Sequence, residues 1–451
     1  MPNKQVLIDV LEHRKTDQIP WLPFAGVHAG KLVGYNAREV LSDADKLFES
    51  IMEVNKIYKP HGQPVTFDLQ LEAEALGCEL VWADYAPPSV RTHILADDPT
   101  IPSDDQIPDE NSGRIPMVLD VTRRFKEAVG DHTLIYGVIC GPFTLAAHLR
   151  GNDLFMDMYD DDEYVISLMD FARKVAEKMS IMFIEAGVDV LAVTDPLISQ
   201  ISSDHFEEFV SDPYKKLFKT IKAHNAYSSF FVCGDATRNI EVMCQTEPDS
   251  ISVDENIDLV EAKKITDKYN VVIGGNIPLT TIMLHGNQLD NMNFVVELLE
   301  SMDNTDNFVL APGCDMPYDI PIENTIGITM TVLEPDKAKA MLENYSAEED
   351  YEDVELPDYD NLEKPLLEVF TLDSETCAAC TYMFGAAQEI KKDYGVTIDM
   401  VEYKYTVKEN IARIKKMGVE KLPSIYVNGQ LKFSSIVPSR EELKAAIEEV
   451  L

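Results

Sequence analysis

Basic residues are scarce in this chain: 39 Lys and Arg stand against 79 Asp and Glu over 451 residues, a formal charge of -40. Nucleic acid and anionic membrane surfaces both call for basic patches, so this balance argues against either as a partner. The same excess of acid fits a salt-adapted proteome or a solubility strategy equally well. Cysteine is sparse too. Seven in a chain this long make no disulfide scaffold, and of Cys78, Cys140, Cys233, Cys244, Cys314, Cys377 and Cys380 only the last two form a local motif. No stretch approaches the roughly 18 unbroken apolar residues of a membrane span. The opening Met1-Pro2-Asn3-Lys4 runs into an amphipathic helix without the apolar core of a signal peptide, which makes the cytoplasm the expected location.

What is present is ample material for a core, with 45% hydrophobic residues. The length suits a barrel of about 250 residues or more with a small partner domain. Two stretches stand out: Phe230-Phe231-Val232-Cys233-Gly234-Asp235 and Phe308-Val309-Leu310-Ala311-Pro312-Gly313-Cys314-Asp315. Each is an apolar run that breaks at a glycine with a cysteine beside it, the pattern of a buried parallel strand delivering a side chain at its carboxyl end.

Apolar strand candidates alternate with helical segments along the chain: Ile19 to Phe24, Val65 to Asp68, Leu134 to Cys140, Val190 to Asp195, Ser229 to Cys233, Ser250 to Asp254, Val271 to Gly275 and Phe308 to Ala311. Helix-period segments such as Glu163 to Ala186 and Pro213 to Ala226 lie between them. Such alternation predicts a parallel α/β sheet, and eight units predict a closed (β/α)8 TIM barrel over residues 1–345. Gly77 to Leu95, turning at Pro87-Pro88, reads as an insertion that covers the barrel mouth.

After Tyr345 the character changes. Residues 346–364 are acidic and lack an apolar period, which reads as a solvated linker. Residues 365–451 begin a fresh pattern: a strand at Leu366 to Thr371, Cys377-Ala378-Ala379-Cys380 opening a helix, and a strand at Thr397 to Tyr403. A helix from Lys408 to Met417, a hairpin turning at Asn428-Gly429 and a last helix from Ser439 complete it. This order is that of a thioredoxin-like domain. A C-x-x-C at a helix N-terminus lowers the first thiol's pKa, which makes Cys377 the attacking thiol and Cys380 the resolving one. Leu422-Pro423-Ser424 resembles the cis-proline loop that faces the dithiol in thioredoxins and glutaredoxins. Thr376 and Ala378-Ala379 depart from the usual Trp and Gly-Pro.

Across nearly all of Met1 to Glu343 the chain resembles the uroporphyrinogen decarboxylase superfamily, and within it the corrinoid-linked, methylcobamide:CoM methyltransferase-like branch. The resemblance rests on Leu71-Glu72-Ala73-Glu74-Ala75-Leu76-Gly77-Cys78, Gly141-Pro142-Phe143-Thr144-Leu145 with Arg150-Gly151, Thr194-Asp195-Pro196 and Val232-Cys233-Gly234-Asp235. Gly274-Gly275-Asn276-Ile277 and Pro312-Gly313-Cys314-Asp315 follow in order. The decarboxylase itself handles a substrate with many carboxylates. Its aspartate corresponds to Asp68, but its two arginines fall on Val27 and Lys31, its tyrosine on His148 and its histidine on Cys314. The methyltransferase branch holds zinc with a His-x-Cys pair and a later Cys. Cys233 and Cys314 match two of those ligands, and the histidine position is Phe231.

Three readings of the two cysteines stay open. Zinc persists with a carboxylate as third ligand, Asp235 foremost, with Asp195 and Asp254 as further candidates; or the site is metal-free and the thiols act themselves, or as a redox pair; or both are packing residues. Asp68 and Glu72 after the second strand, Asp195 and His148 are the candidate catalytic groups, with a helix cap as the alternative role for Asp195.

The leading expectation is a methyltransferase that moves a methyl group between a methyl-cobalamin on a separate corrinoid protein and a small-molecule acceptor, a thiol by resemblance. Nothing in the chain resembles a cobalamin-binding motif, so the cobalamin is expected on the partner. Cys377, Cys380 and Pro423 form the expected redox site. The alternatives are a uroporphyrinogen decarboxylase-type lyase and a non-catalytic redox or docking protein.

Overall fold

The computed structural model describes residues 3–343, 345, 354–375, 378–419 and 421–451. These fall into two compact units, one drawn mainly from the residues up to Tyr345 and the other from Ser346–Leu451. No helix among the described residues is long and apolar enough to cross a membrane.

The first unit is built on seven parallel strands: β1 (Gly62–Pro64), β4 (Leu134–Cys140), β5 (Val190–Thr194), β6 (Tyr227–Phe231), β7 (Ser250–Ser252), β8 (Val272–Ile277) and β9 (Phe308–Pro312). Between β1 and β4 a short antiparallel hairpin, β2 (Leu80–Val81) and β3 (Ser89–Val90), occupies the predicted insertion. The β1 to β9 edges are joined by residues 20–22. Leu22 N–H donates to the Leu310 carbonyl at 3.0 Å, Leu310 N–H to Pro20 at 2.9 Å, and His61 N–H to Trp21 at 2.9 Å. This eighth segment makes the sheet a closed TIM barrel and removes both open edges. All seven residues of β4 and all five of β5 are buried, as expected for strands covered on both faces.

Helices between the strands follow local signals. The longest, Asp162–Ala186, starts where the Asp161 side chain accepts from Tyr164 N–H and stops at Gly187, whose φ of 113° suits a left-handed cap.

Several predicted strands are displaced. Ile19 to Phe24 contributes the bridge between Trp21 and Leu310 and the bond that Trp21 accepts from His61, without a named strand. The strand expected over Val65 to Asp68 lies earlier, at Gly62–Pro64, and that expected over Ser229 to Cys233 is Tyr227–Phe231. The reason is that apolar character reports burial, whereas pairing stops where the partner strand stops. Phe231 pairs with Thr194, after which Asp195 leaves the sheet. Residues 65–68 and Cys233 are therefore delivered beyond the strand ends, onto the mouth.

The second unit has a four-stranded sheet in the order β11 (Asp399–Lys404), β10 (Leu366–Thr371), β12 (Ser424–Val427), β13 (Gln430–Ser434). β10 runs parallel to β11 and antiparallel to β12. The hairpin turns on Asn428 and Gly429, with φ of 47° and 75°, the pair of positive values that a two-residue turn requires. Helices Ala378–Tyr394 and Arg440–Glu448 cover the sheet, placing Met383, Ile390, Leu443 and Ile447 on Leu367, Val369, Ile425 and Val427. Tyr359, inside the stretch read as a solvated linker, donates to Glu368 at 2.9 Å, so that stretch packs on the domain by its later residues.

Candidate active site at the barrel mouth

Cys233 lies two residues past β6 and Cys314 two residues past β9. Their strands are separated by β7 and β8, yet the cysteines form a disulfide across the mouth, with Cα atoms 6.1 Å apart. That separation falls within the usual range for the bond. Two glycines permit the approach. Gly234 has φ of 83°, and a Cβ on Gly313 would lie 2.8 Å from Glu255 N. Cys233 is buried and Cys314 partly exposed. Beneath them Phe231 is fully buried against Phe24, with ring centroids 4.6 Å apart, and Phe67, at 5.8 Å.

Carboxylates surround this pair. Asp235 accepts from the Thr237 hydroxyl at 2.5 Å and its N–H at 3.2 Å. Asp254 accepts from Asn256 N–H at 2.9 Å, and burial, reinforced by the Asp235 charge, pushes its carboxyl above the ordinary range. Burial likewise raises Glu255, whose carboxylate accepts from Leu279 N–H. Asn276, at the end of β8, spends its amide on the Asp254 and Ile257 carbonyls at 2.9 and 2.8 Å, which ties the β7 loop to β8.

A second group follows β1. Arg114, at the start of helix Ile115–Val129, donates through Nη1 to Asp68 at 2.5 Å and through Nε to Glu74 at 2.6 Å. Trp82 of the mouth hairpin lies on the guanidinium, 4.9 Å from its ring centroid. Glu72 is buried; one oxygen accepts from Cys140 N–H at 3.0 Å and the other has no partner among the described residues. Burial pushes its pKa up to about 8, so at neutral pH it is a carboxylic acid. Arg114 Nη2 is likewise buried without a partner among the described residues. Arg114 went unremarked in the sequence, where only its position as a rare cation beside Gly113 marks it.

Asp195 and His148 belong to separate networks. Asp195 accepts from Phe143 N–H (2.9 Å), Thr144 N–H (3.0 Å), the Thr144 hydroxyl (2.6 Å) and the Tyr214 hydroxyl (2.5 Å). It therefore caps helix Pro142–Arg150, which begins at the end of the neighbouring strand β4. Burial raises its pKa to about 6 against the opposing pull of these donors. His148 is buried with Nδ1 3.9 Å from Cys140 Sγ, and burial lowers its pKa to about 3, which keeps the imidazole neutral.

The donors do not suit zinc. Phe231 offers no ligand atom, the two sulfurs bond each other, and Asp235 is turned to Thr237. Among the described residues no three His, Cys, Asp or Glu side chains gather as a metal site.

In the second unit, Cys377 lies outside the described residues. Cys380 is buried and its sulfur accepts from Leu372 N–H at 3.2 Å. Pro423 follows a cis peptide bond from Leu422, and its carbonyl accepts from Ser435 N–H at 2.9 Å.

Comparison with known proteins agrees with this layout. The family model "Uroporphyrinogen decarboxylase (URO-D)" matches residues 2–334, and a "Thioredoxin domain" model matches residues 367–448. The chain is 26% identical over 330 residues to a methylcobamide:CoM methyltransferase, MtbA, of Methanosarcina acetivorans, a match that covers 71% of this chain and 94% of the relative. It is 30% identical over 267 residues to the methylcobamide:CoM methyltransferase MtaA of Methanosarcina barkeri, covering 57% and 74%. A solved methyltransferase from Methanosarcina mazei superposes with a TM-score of 0.65 at 22% identity, over 75% of this chain and 98% of that one. The chain belongs to the uroporphyrinogen decarboxylase family and carries a thioredoxin domain in its C-terminal part.

Proposed function

We propose that the protein is a methyltransferase that moves a methyl group between a methylated cobamide, held by a separate corrinoid protein, and a small-molecule thiol. The names of the barrel's relatives support the reaction class. The observation that carries the choice within the family is how the cationic positions of the mouth are filled. Arg114 is already engaged by Asp68 and Glu74, at 2.5 and 2.6 Å. The decarboxylase arginine positions are a buried Val27 and a Lys31 that donates to the Asp319 carbonyl at 2.7 Å. Neither position offers a guanidinium to pair with a polycarboxylated substrate.

In this reading a bound cobamide supplies a transferable methyl group, and the chain's own residues orient the acceptor. Protonated Glu72 donates a hydrogen bond from the floor of the site, and Arg114 holds Asp68 in place. Asp195 and His148 keep the first and last turns of helix Pro142–Arg150 in position. Cys377 and Cys380 of the C-x-x-C motif act as a dithiol that serves the barrel as a source of electrons. Residues 346–364 then join a methyl-transfer barrel of residues 1–345 to a redox domain of residues 365–451.

The test is to mix the pre-reduced full chain with methylcobalamin and a panel of small thiols, and to follow loss of the methyl–cobalt absorbance together with the methylated thiol. Thiol-dependent turnover is expected. No turnover with any thiol, alongside conversion of uroporphyrinogen to products with fewer carboxylates, would place the chain with the lyases.

A further inference from the structure

The family resemblance implies a metal where this chain has a covalent bond. Among the described residues no group of three His, Cys, Asp or Glu side chains makes good the loss of the nitrogen donor at Phe231. The place of the ring is taken by an apolar cluster of Phe24, Phe67 and Phe231, and the nearby Asp235 is committed to Thr237. The two sulfurs that remain have each other as partners.

We infer that the mouth of this barrel holds a thiol–disulfide couple, Cys233 with Cys314, that an external dithiol reduces and a disulfide re-forms. The inference goes beyond methyl transfer and does not depend on it.

Three further observations favour a working couple over a structural clamp. The barrel already has a closed sheet and a large core, so it does not need a cross-link in the way that small secreted domains do. The bond also sits on two loops at the carboxyl ends of the strands, where barrels keep their chemistry, with Cys314 partly exposed. Finally, the other barrel cysteines make poor competitors. Cys78, Cys140 and Cys244 are all buried thiols whose pKa values burial pushes up, to about 12 for Cys244.

The steps balance as ordinary exchange. A thiolate of the reductant attacks Cys314 Sγ, the more accessible sulfur, and forms a mixed disulfide. The Cys233–Cys314 bond breaks, and Cys233 leaves with the electron pair and takes a proton. The second thiol of the reductant then displaces Cys314, which takes the second proton. Two electrons and two protons pass from the dithiol, which ends as a disulfide; a more oxidising disulfide reverses the sequence.

The test uses the full chain carrying Cys377→Ser and Cys380→Ser, which leaves the barrel unaltered. After air oxidation the protein is unfolded in an alkylating agent, digested and mass-mapped, with and without prior dithiothreitol; zinc is measured in parallel on protein grown and purified with added zinc. The expected result is one cross-linked peptide pair joining Cys233 to Cys314 without reductant, both cysteines alkylated after dithiothreitol, and no stoichiometric zinc in either sample. Both cysteines alkylated without reductant overturns the inference, as does stoichiometric zinc that Cys233→Ser abolishes. Because the readout is thiol state, a failure of methyl transfer leaves it standing, and its own failure leaves methyl transfer untouched.

Discussion

The carboxyl of Glu72 accepts from the backbone N–H of Cys140 at 3.0 Å, which ties the helix after β1 to the last residue of β4. Its other oxygen is buried without a partner among the described residues, and burial lifts the pKa of Glu72 from 4.5 to about 8. Between these values the unfolded chain binds fewer protons than the folded one, so the Glu72 contribution to stability is full below pH 4.5 and is lost as pH rises toward 8. Glu72→Gln, which stays neutral, is expected to flatten the fall in barrel Tm between pH 5 and 8 by several degrees. Thermal unfolding of both proteins across that range measures it; parallel profiles would contradict the assignment.

Arg114 compensates two carboxylates at once. Arg114→Ala leaves Asp68 and Glu74 facing each other in a largely buried setting and is expected to cost about 3–5 kcal/mol. Arg114→Lys keeps the charge but not the fork, and should recover only part of the loss. Urea midpoints of the barrel transition decide between them.

For Asp195 the four donors predict a structural cost with a graded pattern. Tyr214→Phe removes one hydrogen bond to a buried carboxylate and should cost about 1.5–3 kcal/mol. Asp195→Ala strips the cap from helix Pro142–Arg150 and should cost more. A Tyr214→Phe enzyme with KM for the thiol unchanged and stability lowered fits this placement; the reverse pattern would move Asp195 into contact with substrate.

Reduction of the mouth disulfide should also be visible as stability. The bond closes a loop of 81 residues, and its loss is expected to cost roughly 2–4 kcal/mol, chiefly by freeing the unfolded chain. Dithiothreitol should therefore lower the barrel Tm of the Cys377→Ser/Cys380→Ser chain, and leave that of a version also carrying Cys233→Ser and Cys314→Ser unmoved. Calorimetry with and without reductant makes the comparison.

Much of the architecture was written along the chain, because burial and helix period are local properties of side chains. Leu134–Cys140 appears as a strand over the whole predicted span, and Phe308–Pro312 extends the predicted one by a single residue. The boundaries that moved, at Gly62–Pro64 and Tyr227–Phe231, moved because a ladder needs a partner and the partner is not local. The same distinction separates the site residues. Cys233 and Cys314 could be singled out from their strand-end pattern, and Asp68 and Glu72 from their place after the second strand. That Glu72 lacks a second partner, that Asp195 caps a helix from another strand, and that Arg114 holds Asp68 across 46 positions all depend on distances between remote segments.

The sequence by itself determined two domains' worth of pattern, a barrel alternation and a dithiol motif, together with an acidic charge that turns away polyanions. Only the tertiary structure decided what the two mouth cysteines do with one another. Local pattern places each sulfur at a strand end, but bonding requires the curvature of the closed sheet, which carries the ends of β6 and β9 across two intervening strands to a Cα separation of 6.1 Å.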